Sequence, residues 1–356
     1  MTRPVASAVR HSGATTLSYP FAQPPPGGLW YEVAPGIFWL RMPLPFVLDH
    51  INLWVLRDGD GWTLVDTGLN SEVTRGLWDQ IAAEALASRP VRRVVVTHFH
   101  PDHFGLAGWL TQRFGVELWM TEAEFITAQV VFAQLPGHTN EASLELFARH
   151  GLDEQMQEAI RNRKHSYRRA ISEPPLSFRR MLDGDVLEID GRDWRVIMGY
   201  GHAPEHAALY CEELGVLISG DMVLPKISTN VSVWASEPEG DPLNLFLHSV
   251  SHYAELPEQT LVLPSHGLPF QGLRPRASAL HEHHRLRLDE LLAACERPAS
   301  AADIVPVLFR RQLDSHQMGF AMGEAIAHLN HLLYRRRLVR EAGPDGILRF
   351  MKAPDS

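Results

Sequence analysis

Apolar residues in the first third of the chain fall in short runs separated by turn-forming pairs, the pattern of successive strands. Gly36-Ile37-Phe38-Trp39-Leu40 comes first, then Asn52-Leu53-Trp54-Val55-Leu56. The Asp58-Gly59-Asp60-Gly61 turn leads into Trp62-Thr63-Leu64-Val65-Asp66. Asp-Gly pairs tolerate the positive φ angles of a tight hairpin and so mark one strongly. Over residues 71–87 the spacing becomes helical, with Ser71 placed to cap the N-terminus. Residues 91–96 predict a strand, 105–114 a helix and 116–120 another strand, so strand–helix alternation follows a strand-rich start. The stretch from 121 to about 175 is different. It is helix-rich, carries Arg161, Arg163, Lys164, Arg168 and Arg169, and closes on Pro174-Pro175. It reads as a helical insertion over the functional face, serving as a lid or ligand wall or simply as packed helices. Strands resume at 194–198, 207–211, 216–219 and 260–263. Beyond about 277 the pattern is helical near 278–295, 301–311 and 318–336, and a hairpin follows at 340–350. Three helices and a hairpin make a winged-helix-like module. Residues 1–28 are rich in Ser, Thr, Pro and Gly and read as an extended or partly disordered arm. The expected divisions are 1–28, 29–275 and 276–356.

At 356 residues the chain suits one large domain with an appendage, or two modest domains. Its 45% hydrophobic and 21% charged residues are ordinary for a globular protein with a sizeable core. A net charge of −9 argues against nucleic acid as an obligate partner, because phosphate binding needs a basic face. Cys211 and Cys295 are the two cysteines, and neither stands at metal-ligand spacing. Any metal must therefore be held by His and Asp. With neither a signal-peptide core nor an apolar run long enough to span a bilayer, the cytoplasm is the expected location and no membrane partner is expected.

The chemistry concentrates in Thr97-His98-Phe99-His100-Pro101-Asp102-His103-Phe104-Gly105. Three imidazoles and a carboxylate within six residues, directly after a β-branched run, put several ligands on one stiff support. Zinc and similar ions take imidazole nitrogen and carboxylate oxygen. Three more strand ends carry such groups: Gly201-His202-Ala203-Pro204-Glu205-His206, Ser219-Gly220-Asp221 and Pro264-Ser265-His266-Gly267. Each is flanked by a Gly or Pro that turns the chain.

Together with Leu64-Val65-Asp66-Thr67-Gly68, these motifs resemble the metallo-β-lactamase-fold hydrolases of the glyoxalase II type, over roughly residues 30–270. The resemblance implies an α/β fold, a four-layer αβ/βα sandwich with two metals at the edge of its sheets. It assigns His98, His100 and His202 to the first metal, Asp102, His103 and His266 to the second, and Asp221 to a bridge between them. Asp66 would orient a ligand histidine through its other ring nitrogen. Zinc suits the donors, with iron and manganese compatible. The segments His284-Arg285 and Ala327-His328-Leu329 resemble the winged-helix tail of one branch of this family. Glu205 and Ser265 depart from the usual glycines, and Glu205 adds a carboxylate beside the site. His206 matches a family histidine that is usually not a ligand and takes a structural or substrate-side role.

Two metals sharing a water lower its pKa towards neutrality, so a bridging hydroxide is the expected nucleophile, with Asp102 orienting it. The reaction expected from the resemblance is hydrolysis of a small-molecule thioester, then of a lactone or other ester. Lys226 is a candidate partner for an anionic substrate group. The rival expectations are phosphodiester cleavage of RNA, for which Arg335-Arg336-Arg337 would meet the backbone, and a catalytically silent binding module. His50 is expected at the surface of a loop between the first two predicted strands. His281, His283 and His284 are expected to be interdomain or surface groups, the tryptophans to be packing, and the terminal module to be a candidate homodimer surface.

Overall fold

A computed structural model describes residues 17–162 and 167–354. The chain opens with an antiparallel meander of β1 (Trp30–Ala34), β2 (Ile37–Pro43), β3 (His50–Asp58) and β4 (Gly61–Val65). Helix α1 (Glu72–Glu84), capped by the Ser71 side chain, crosses to β5 (Val91–Val95), which pairs parallel with β4. Next come α2 (Pro101–Phe104), α3 (Ala107–Phe114) and β6 (Leu118–Met120). The insertion supplies α4 (Glu122–Phe132), α5 (Asn140–Arg149), α6 (Glu154–Arg161) and α7 (Tyr167–Ala170), and β7 (Arg179–Arg180) then completes a seven-stranded sheet in sequential order. A second sheet is built from β8 (Val186–Ile189), β9 (Arg192–Gly199), β10 (His206–Cys211), β11 (Val216–Gly220) and, after α8 (Pro242–Tyr253), β12 (Leu261–Pro264). Its order is β12-β11-β10-β9-β8, antiparallel except that β12 runs parallel to β11. The chain continues through α9 (Leu273–Ala294), α10 (Ala301–Leu308), α11 (Ser315–Tyr334) and the hairpin of β13 (Leu338–Ala342) and β14 (Leu348–Lys352).

The sheets face one another across a core of Trp39, Trp54, Val65 and Val95 on one side and Trp194, Val196, Leu209 and Ile218 on the other. Trp78, Ile81 and Leu110 from α1 and α3 cover the outer face of the first sheet. Leu243, Phe246 and Val250 from α8, with Ala277 and Leu280 from α9, cover the second. The result is the four-layer helix–sheet–sheet–helix sandwich. Strands β4, β10 and β11 are buried at every residue; strands covered on both faces read as unbroken apolar runs.

Two features of the packing add to the sequence reading. The division at 275/276 falls inside α9, a continuous helix whose start packs on the second sheet while Leu291 and Leu292 enter the core of the C-terminal helices. The insertion is also divided: α4 packs on the first sheet, whereas Leu144, Phe147 and Ile160 of α5 and α6 share the C-terminal core with Ile304, Ile326 and Phe350. Of the N-terminal arm, Ser18 pairs through its backbone with Gln271, and Leu17, Tyr19 and Phe21 pack on the sandwich. The rest of that expectation, residues 1–16, lies outside the described residues, as do Arg163 and Lys164.

Candidate metal centre

Because β4 and β5 run parallel, as do β11 and β12, their C-terminal ends reach one edge of the sandwich. The loop from β9 to β10 reaches the same edge, where Ala207 N–H donates to Thr97 O (2.9 Å). All seven residues expected to bind metal converge there. His98 Nε2 lies 2.9 Å from His100 Nδ1 and 3.2 Å from His202 Nε2. Beside this group, His266 Nε2 and His103 Nε2 lie 3.4 and 3.7 Å from Asp102 Oδ2. Asp221 spans the two. Its Oδ2 is 3.5 Å from His202 Nε2, while its Oδ1 is 3.5 Å from His103 Nε2 and 3.4 Å from His266 Nε2.

The outer ring nitrogens are committed elsewhere, which fixes the tautomers. His202 Nδ1 donates to Asn230 O (2.7 Å), His266 Nδ1 to His50 O (2.8 Å) and His103 Nδ1 to Asp66 Oδ2 (2.8 Å). The Thr97 hydroxyl donates to Asp66 and can accept from His98 Nδ1. Each Nε2 lone pair is thus turned inward, the arrangement that a metal-ligating histidine needs. His103 Nε2 and Asp221 Oδ1 are buried without a hydrogen-bond partner, a costly state unless a cation completes them. Burial, reinforced by the neighbouring rings, holds His98 well below the usual histidine range and His100 down to about 3. Burial also opposes charge on His103 and His266. There the carboxylates win, raising His103 and pushing His266 up to about 10. The pocket therefore calls for positive charge beside Asp102 and Asp221, and the donor set fits divalent cations.

Asp66 sits at the end of β4 with φ 61°. Its carboxylate accepts from Thr97 N–H (2.8 Å) as well as from His103. The remaining candidates are not among the converging donors, though two of them support those donors. His206 is buried, and its Nε2 accepts from Asp221 N–H (3.2 Å), so it supports Asp221 from beneath rather than facing a substrate. A Cβ on Gly220 would lie 2.2 Å from that nitrogen, and Gly220 has φ 51°. The Glu205 carboxylate accepts from Ala123 N–H at the start of α4 (3.3 Å), so it does not stand free over the site. Lys226 is exposed, next to Pro225, which packs against Gly267 in the His266 loop. His50 corrects the surface reading. It is half-buried, and its Nε2 accepts from Gly267 N–H (2.9 Å) while its carbonyl holds His266. His284 is also interior, its Nδ1 3.1 Å from His328 Nε2.

Sequence reasoning did not single out Asn230, Glu124 or Tyr167. The Asn230 side chain in turn donates to Glu324 on α11 (2.9 Å), tying the His202 support to the C-terminal helices. One aromatic side chain stands beside His100, and a separate aromatic group joins the β2–β3 loop to α11. Trp234, 40% exposed, has its ring centroid 6.4 Å from that of His100, and Phe46 in the β2–β3 loop stacks on His316 of α11 at 5.1 Å, with Phe320 beside it.

Residues 47–266 match the family described as the metallo-beta-lactamase superfamily, and residues 288–353 match the metallo-beta-lactamase-like, C-terminal domain. The crystal structure of a beta-lactamase domain protein from Burkholderia ambifaria is 51% identical, covers 95% of this chain and 98% of its own, and superposes with a TM-score of 0.90. The probable metallo-hydrolase YqjP of Bacillus subtilis is 26% identical over 82% of this chain and 91% of its own length. The human acyl-coenzyme A thioesterase MBLAC2 is 26% identical over 54% of this chain and 67% of its own length. Among the described residues, no helix is long and apolar enough to cross a membrane.

Proposed function

The chain belongs to the metallo-β-lactamase superfamily and is a metallo-hydrolase, and from that premise we propose that it hydrolyses a small-molecule thioester, or a related ester or lactone, using two divalent cations. The observation that carries this reading is Asp221, whose two carboxylate oxygens each reach a different group of ring nitrogens. In this reading His98, His100 and His202 hold one cation, Asp102, His103 and His266 the other, and Asp221 joins them. Zinc suits these nitrogen and oxygen donors, and iron or manganese is compatible with them. Divalent ions bound there supply a water activated at neutral pH and a Lewis acid for the carbonyl oxygen.

The chain's own groups do the rest. Asp102, with its side chain 19% exposed against 12% for Asp221, is the carboxylate that would orient the attacking water and take its proton. Asp66 keeps His103 in the tautomer that presents Nε2. The Trp234 ring beside His100 suits the apolar part of an acyl group, and exposed Lys226 is the candidate for an anionic leaving portion. The name of the human relative, an acyl-coenzyme A thioesterase, supports the thioester first among the esters.

Thiol release from S-acyl-glutathione and acyl-coenzyme A by metal-loaded protein tests the proposal, with Asp221→Ala as control. Release is expected in the wild type and a fall of at least about 100-fold in the variant. Metal-loaded wild type that leaves both thioester classes intact would reject the thioester assignment, and a fully active variant would reject the site.

A further inference from the structure

The helical segment after β6 grips two residues by their backbones, and both lie in loops that bear the first group of histidines. Phe99 stands between His98 and His100. Its N–H donates to Glu124 Oε2 (2.9 Å), and its carbonyl accepts from the Tyr167 hydroxyl (2.6 Å). Glu205 lies three residues after His202. Its N–H donates to Glu124 Oε1 (2.7 Å), and its carbonyl accepts from the Thr121 hydroxyl (2.9 Å). One carboxylate therefore joins the β5 loop to the β9–β10 loop, which are far apart in sequence.

Glu124 has no exposed surface and lies beside Phe125 and Ala128 in the core under the first sheet. Removing a carboxyl group from water is costly, and the two N–H bonds offset part of that cost. Burial pushes this carboxyl up to about 8, with the two backbone donors pulling the other way. An apolar side chain here would leave the Phe99 and Glu205 N–H groups without acceptors, so the acid is tied to holding these two loops. The second group is held by other means: His103 by Asp66 and His266 by His50.

Resting on the two-cation reading above, we propose that Glu124 is a positioning residue. It sets the separation of the loops that bring His98, His100 and His202 together, and so sets the affinity of that metal position and not of its neighbour. Tyr167 and Thr121 complete the clamp from the carbonyl side.

Glu124→Gln tests this with little change of volume. A glutamine has one acceptor oxygen, so its amide NH2 must oppose the second backbone N–H. Zinc retained after dialysis against chelators of graded strength, and the visible spectrum of the cobalt(II)-substituted protein, report on metal binding without activity. The expected result is one equivalent weakened by about 10–100-fold, as for other groups that orient ligands. The other equivalent should be close to wild type, so that the loss falls on one position even though the opposed N–H groups lower the melting temperature of the metal-free protein. Tyr167→Phe, which leaves Glu124 untouched, should weaken the same equivalent by a smaller factor. Wild-type retention of both equivalents in Glu124→Gln, or equal weakening of both, overturns the proposal. If the wild type binds a single cation, the two-cation reading fails on its own, and the clamp is then judged on that cation: weakening sustains it and wild-type affinity overturns it.

Discussion

At Asp66 the backbone takes a left-handed conformation, which costs a non-glycine residue about 1–3 kcal/mol. The same geometry brings the carboxylate under both Thr97 and His103. Asn in its place keeps the shape but sets an amide N–H against one of these donors. Asp66→Asn is therefore expected to lower kcat by about 10–100-fold and to weaken metal retention, with little change in KM for the substrate. An unchanged kcat would mean that His103 needs no such partner. The seven clustered residues were legible because each is a chemically distinctive side chain at the end of an apolar strand. Asn230, Glu124 and the carbonyl of His50 were not, because they act on main-chain groups or through them. A backbone N–H 25 or 81 residues away from its acceptor leaves no trace in side-chain spacing.

Among the elements, the buried strands β4, β10 and β11 could be read directly, since both faces are covered and the apolar run is nearly continuous. Strands β1, β7 and β8 could not: they lie at sheet edges, and β7 is two exposed arginines. Helix α11 starts at Ser315, three residues earlier than its apolar spacing suggests, because Asp314 and Gln317 form a capping box. This helix carries a testable cost. Burial pushes Glu324 up to about 7, with the Asn230 amide pulling the other way. A carboxyl with a raised folded-state pKa favours folding fully below its unfolded value of 4.5, and that contribution is lost as pH rises through about 7. Glu324→Gln keeps an acceptor for Asn230 and does not titrate. In metal-stripped protein it should exceed wild type at pH 8 by up to the order of 3 kcal/mol, with the gain shrinking towards zero as pH falls to 4.5. Urea titrations at several pH values would show this, and a gain independent of pH would exclude a titrating Glu324.

Across the whole molecule, α9 belongs to two cores, and the insertion reaches into the second of them through α5 and α6. Sequence could place these helices but not the sharing, since one amphipathic helix looks the same whether it serves one core or two. Eight of the nine tryptophans lie between residues 30 and 194, so the fluorescence reports chiefly on the sandwich, while Trp234 stands between Val233 and Ala235 of the C-terminal core. Leu291→Ala removes a fully buried side chain from the C-terminal core and should cost about 2–5 kcal/mol. If the cores unfold together, the tryptophan transition and the far-ultraviolet transition fall by the same amount. A tryptophan transition left at the wild-type temperature would show two independent units.

The fixed tautomers of His103, His202 and His266 also bear on kinetics. A site assembled only by its ion must wait for the chain to order around each arrival. Here the rings are already held by Asp66, Asn230 and His50, so capture becomes a matter of diffusion and dehydration. The donors do not reorganise to suit one ion over another. An ion whose preferred geometry departs from theirs would therefore bind less well, whatever its supply.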